Sequence, residues 1–193
     1  MHGGALRVAP DERPLADSRP FLILAGLAAI AIGGLIAAML RHPGMPAIIA
    51  DDYMRVAGGL IELERETSVP SDLSSALAIA DPGLMVPDLG SERYRLAGGT
   101  RLTRAGQPAV LAVYHNPRLD LLVYHAWRGE FEHMPATGDV RERAGRTFHV
   151  HQKSTSTLVF WREGGVVRVV TSSLPTEQVV SLAVAAAAGA TGA

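Results

Sequence analysis

The run FLILAGLAAIAIGGLIAAML, from Phe21 to Leu40, holds twenty consecutive residues without a charge. At about 1.5 Å of rise per residue, a helix of that length matches the ~30 Å hydrocarbon core of a bilayer. A globular core helix this long keeps a polar face, and the apolar region of a secretory signal is shorter, about 7–15 residues. The reading is therefore one retained transmembrane helix over residues 21–40. Arg7, Arg13 and Arg19 precede it, whereas Arg41 and then Arg55 follow. The positive-inside rule then places the N-terminus in the cytoplasm and the C-terminal domain outside the cytoplasmic (inner) membrane. Gly26, Gly33 and Gly34 lie among alanines at small-xxx-small spacings that let another helix approach.

This segment divides the chain. Residues 1–20 hold three prolines, several charges and no apolar period, so they are expected to form a disordered cytoplasmic tail, too short for a domain. RHPGMP, residues 41–46, reads as a linker, residues 47–188 as an exported domain, and residues 189–193 as a disordered C-terminus. The 18 Lys+Arg against 19 Asp+Glu give a net charge of -1, which offers a nucleic-acid partner no electrostatic attraction. The chain has no cysteine, which removes disulfides, thiol nucleophiles and Cys-ligated metal or iron-sulfur sites.

In IIADDYMRVAGGLIELERE, residues 48–66, Ile49, Tyr53, Val56, Leu60 and Leu63 recur at helical spacing. The spacing predicts an amphipathic helix with Asp51 and Asp52 in its first turn, where carboxylates suit the positive end of the dipole. A second short helix is expected from Ser71 to about Ala80, ending at the Asp81-Pro82-Gly83 turn. From Glu92 onward the runs RYRLAG, RLTRAG, PAVLAVYH, LDLLVYHAW, RTFHVHQK, STLVFWRE and VVRVVTS predict an antiparallel sheet built from hairpins. Tight reversals are expected at His115 to Arg118 and at Arg162 to Gly165, and GEFEHMPATGDVRERAG reads as a long loop. LPTEQVVSLAVAAAA then predicts a terminal helix with Pro175 and Glu177 in its first turn and Gly189 just past its end. The fold class is α+β: a single N-terminal transmembrane helix, then an antiparallel sheet flanked by N- and C-terminal helices.

With these elements in order, residues from about Ala50 to Leu182 are similar to the exported C-terminal region of bacterial transmembrane anti-sigma factors. The likeness rests on Leu96, Gly98, Gly99, Arg101 and Leu102, then Gly106, Pro108, Ala109, Val113 and Tyr114. It continues through LDLLVYHAW, Trp161 before Gly164-Gly165, and Leu174-Pro175 ahead of the last helix. The resemblance implies a regulatory, partner-binding domain outside the membrane. Such anti-sigma factors also carry a cytoplasmic helical domain that commonly holds zinc through a His and two Cys, and this sequence shows no counterpart. A shorter stretch, PAIIADDYMRVAGGLIE, resembles the start of the exported domain in an assembly protein of bacterial respiratory oxidases, where an Asp-Tyr pair follows one membrane helix. It implies an alternative, an accessory or assembly subunit of a larger electron-transport complex in the membrane.

Little in the sequence points to chemistry. His149 and His151 stand two apart, so on a strand both imidazoles face one way, a spacing able to clamp a metal ion, with His115, His125 and His133 as further candidates. With no carboxylate or cysteine at ligand spacing, the reading is alternate polar residues on a half-exposed strand, and no metal site is assigned. Asp51 and Asp52 point about 100° apart on a helix and are assigned no catalytic role. The hydroxyls of KSTSTLVF lack a Gly-x-Ser-x-Gly elbow or a Ser-x-x-Lys pair, and Gly98-Gly99 and Gly164-Gly165 lack the strand-loop-helix setting of a phosphate cradle. Trp127 and Trp161 end apolar runs and are expected to pack in the core or at its rim. The expectation is a non-enzymatic protein without cofactor, acting through another membrane or periplasmic protein.

Overall fold

The β-rich runs between Arg95 and Ser172 form seven strands, and a short eighth strand at Arg65–Glu66 joins them in one antiparallel sheet. The computed structural model describes residues 44–77, 79, 81–130 and 138–189. Helix α1 spans Met45–Ala57, strand β1 Arg65–Glu66 and helix α2 Pro70–Ala76. The sheet continues with β2 (Arg95–Arg104), β3 (Gln107–His115), β4 (Leu121–Arg128), β5 (Asp139–Arg143), β6 (Arg146–Lys153), β7 (Ser156–Glu163) and β8 (Val166–Ser172). Helix α3 (Thr176–Gly189) closes the chain. The α+β architecture, with helices flanking an antiparallel sheet, is as the sequence predicts. The segment 21–40, the tail and His133 lie outside the described residues, among which no helix is long and apolar enough to cross a membrane.

The strand order is β1-β2-β3-β4-β8-β7-β6-β5, so two four-strand meanders meet where β4 pairs with β8. Strand alternation gives the sheet two buried faces. One carries Val110, Ala112, Tyr124, Phe148, Val159 and Trp161 beneath α2 and α3. The other carries Ala109, Trp127, Leu158, Phe160, Val167 and Val169 beneath Met45, Ile49 and Ala50 of α1. Two-residue turns at Ala105-Gly106 and Gly164-Gly165 both run at positive φ, the backbone hand that matches strand twist.

Five features differ from the sequence reading. Helix α1 begins at Met45 with Pro46 in its first turn and stops before Gly58. Gly59, at φ 67°, turns the chain so that its N–H bonds to the Val56 carbonyl and the Leu60 N–H to Arg55. That is a glycine-capped helix end, and it cuts off the predicted continuation to Glu66. Helix α2 starts on Pro70, a residue suited to the first helical position, and ends at Ala76 rather than near Ala80. RYRLAG and RLTRAG form one strand with an irregularity between Leu96 and Gly98. Gly98-Gly99 make no turn there. A Cβ on Gly98 would lie 2.3 Å from the Arg65 carbonyl oxygen and one on Gly99 2.5 Å from that of Leu111, so the glycines admit two neighbouring strands. The expected long loop contains β5, whose sequence DVRER lacks the apolar alternation that reveals a strand. Finally, α3 includes Gly189.

Candidate functional site: a buried Asp-His-Arg cluster

Helix α1 presents Met45, Ile49 and Tyr53 to the sheet, and Asp52 falls on the same side, three residues after Ile49. Asp52 is only 4% exposed, whereas Asp51 is exposed. Both sit beyond the first turn of a helix that starts at Met45, so the dipole account of this pair is corrected: Asp52 is held by side chains. Beneath it, β4 alternates Val123, His125 and Trp127 on the α1 face, and His125 is fully buried. Arg104, at the end of β2, reaches in from the side.

One oxygen, Asp52 Oδ2, accepts hydrogen bonds from Arg104 Nη2 and from His125 Nε2, the latter at 3.2 Å. The contact assigns the imidazole proton to Nε2. His125 Nδ1 is then a bare acceptor, buried and without a hydrogen-bond partner among the described residues. Burial by itself raises the Asp52 pKa, but the hydrogen bond from His125, joined by the charge and hydrogen bond of Arg104, outweighs it and holds the carboxyl below its usual value. Burial is also the largest influence on His125 and lowers its pKa, with Asp52 offsetting only part. The cluster is thus an Asp52–Arg104 ion pair with a neutral imidazole as second donor. One turn position further on, the Tyr53 hydroxyl accepts the Ser173 N–H at 3.2 Å. Three polar contacts, made by two adjacent residues, therefore seat α1.

An aspartate bonded to a histidine is two-thirds of a nucleophile-activating relay, in which the second ring nitrogen faces a hydroxyl or thiol. Here that nitrogen meets no such group among the described residues. The geometry instead suits attachment. Breaking one partner of a buried ion pair leaves an uncompensated charge, which penalises lifting Asp52 away from Arg104.

The other histidines are dispersed. His149 and His151 share the α1 face of β6, opposite Phe160 and Leu158, as their spacing predicts. His151 is buried and stands edge-on to Phe160 with ring centroids 5.4 Å apart. Burial, then the charge of His149, lowers its pKa. His115 ends β3 with Nδ1 buried and without a partner among the described residues. Among the described residues no three His, Asp or Glu side chains gather into a metal-holding set. Trp127 is buried on the α1 face, and Trp161 on the other, tilted against Phe148 and Tyr124 at 5.8 and 6.4 Å. The KSTSTLVF hydroxyls shape the β6–β7 corner: Ser156 Oγ donates to the Lys153 carbonyl and Thr157 Oγ1 to that of Leu174.

Sequence reasoning missed Arg104 and misjudged Asp52, although Asp52 breaks an otherwise apolar stripe and His125 interrupts the run LLVYHAW at an inward position. Both are polar residues where the period demands apolar ones, which is the available signal. Comparison with protein-family models and with characterised protein sequences gives no match.

Proposed function

We propose that this chain is a membrane-anchored, non-enzymatic regulatory protein of the anti-sigma-factor type, whose exported domain binds another membrane or periplasmic protein. The observation that supports the reading is the uncharged run 21–40, long enough to span a bilayer, set just ahead of a folded domain. The run ends at Leu40 and α1 begins at Met45, so four residues, which extend to about 14 Å at most, connect them. The first element they enter is keyed into the sheet by Asp52 and Tyr53.

Crosslinking of the full chain in native membranes, followed by mass spectrometry, tests this reading. A specific partner protein is expected, with lower recovery when the segment 21–40 is replaced by an unrelated apolar helix lacking Gly33 and Gly34. Recovery of the chain alone, together with turnover of a small molecule by the isolated domain, would overturn it. The alternative, an accessory or assembly subunit of a membrane complex, draws on Asp52-Tyr53, residues that here seat α1. A neighbouring sigma-factor gene favours the first reading and a block of electron-transport genes the second.

A further inference from the structure

The two edges of the sheet are treated differently. Beyond the two-residue β1, the free side of β2 is closed by Glu64, whose Oε1 accepts the Arg101 N–H and the Thr100 hydroxyl, each at 3.1 Å, and whose Oε2 takes Arg101 Nε at 3.0 Å. The carboxylate stands where a partner strand's carbonyl would stand. At the opposite edge β5 pairs with β6 over five residues without a bulge or a proline, and among the described residues nothing pairs with its outer side. All five residues are exposed or half-exposed, and Val140, at 51%, is one of the few large apolar side chains left in solvent. An unguarded edge offers a row of free backbone donors and acceptors to another strand.

We propose that β5 pairs antiparallel with β5 of a second copy of this chain, joining two sheets across a two-fold axis centred on Val140. The register follows from face and charge. A two-fold axis perpendicular to the sheet brings residues of the same face opposite each other, so it passes through a residue rather than between two. Asp139, Arg141 and Arg143 share one face, where Arg141 Nη2 meets Asp139 Oδ2 at 2.6 Å and Glu177 of α3 at 3.5 Å. Val140 and Glu142 share the other, where Glu142 takes the Thr147 hydroxyl. Centring on Asp139, Arg141, Glu142 or Arg143 sets like charges face to face, a destabilising arrangement. Centring on Val140 sets valine against valine, with Asp139 opposite Arg141 on either side. The internal Asp139–Arg141 pair then becomes half of an alternating ring of four charges. A pairing this short belongs to the small, reversible class of interfaces, which a covalent trap detects.

The chain has no cysteine, so single-cysteine scanning needs no background removal. Full-length variants with cysteine at each of residues 139–143, and Met54→Cys on α1 as the exposed control, are oxidised in native membranes and resolved on non-reducing gels. Directly opposed residues have Cα atoms about 4.5–5.5 Å apart, within disulfide range. The disulfide dimer is expected to be strongest for Val140→Cys, lost when Asp139→Arg is added, and regained when Arg141→Asp is added to both. A maximum at another position, a yield no greater than that of Met54→Cys, or no recovery in the double charge reversal would overturn the proposal. None of these outcomes depends on which side of the membrane the domain lies.

Discussion

Replacing Asp52 by alanine removes the acceptor that Arg104 and His125 share. The side chains left behind are 12% and 0% exposed, so neither recovers full hydration in place. Removing one partner of a buried ion pair costs roughly 3–5 kcal/mol. Arg104 lies at a strand end and its long stem lets the guanidinium turn toward water, which sets the expectation near the lower limit, about 3 kcal/mol. Urea unfolding of the unit from Pro43 to Ala193, followed by circular dichroism, is the assay. At slopes of about 1–3 kcal/mol per molar, the midpoint falls by roughly 1–3 M. Asp51→Ala, one residue earlier and exposed, leaves the midpoint within the scatter of ordinary surface changes. A double-mutant cycle of Asp52→Ala with Arg104→Ala should show a coupling on the order of 1–3 kcal/mol. Equal midpoints for the Asp51 and Asp52 variants, or a coupling near zero, would refute the seating role.

Because burial depresses the His125 pKa below its unfolded value near 6.5, the unfolded chain binds the proton more tightly, and stability is lost as pH falls from about 6.5 through the folded pKa. His125→Gln should make that acid slope shallower without flattening it, since His151 is depressed in the same direction; an unchanged slope in urea midpoints measured from pH 7 to 5 would contradict this. The Asp52 contribution persists to lower pH, because its folded pKa lies below 3.8. Gly98→Ala should destabilise by more than about 1 kcal/mol, because its Cβ meets the Arg65 carbonyl, and should cost more than Gly106→Ala, whose Cβ meets nothing within 4 Å; thermal melts of the two decide. Zinc or copper is expected to leave the melting temperature unchanged, and a rise abolished by His149→Ala would establish a site.

Most of the fold was legible because its strands announce themselves through alternation and its turns through Gly pairs. Gly164-Gly165 marked a hairpin correctly, whereas Gly98-Gly99, the same dipeptide, sits inside β2 where two backbones crowd it. Composition alone does not separate a glycine that turns from one that admits a neighbour. Strand β5 escaped notice because five polar residues carry no period. The candidate site was half visible: His125 was noted only as a spare histidine, and Asp52 was ascribed to a helix end because the helix was started too late. Arg104 gave no local signal, since its contact with Asp52 spans 52 residues of sequence and exists only once the end of β2 is brought beside α1.

Residues 21–40 are proposed to anchor the chain with its folded domain outside. Fusions at the C-terminus to alkaline phosphatase, active only after export, and to a reporter active only in the cytoplasm measure it directly. An active phosphatase fusion and an inactive cytoplasmic reporter are expected from the arginine bias around the apolar run. The reverse pattern, or a chain recovered without the membrane fraction, would contradict it.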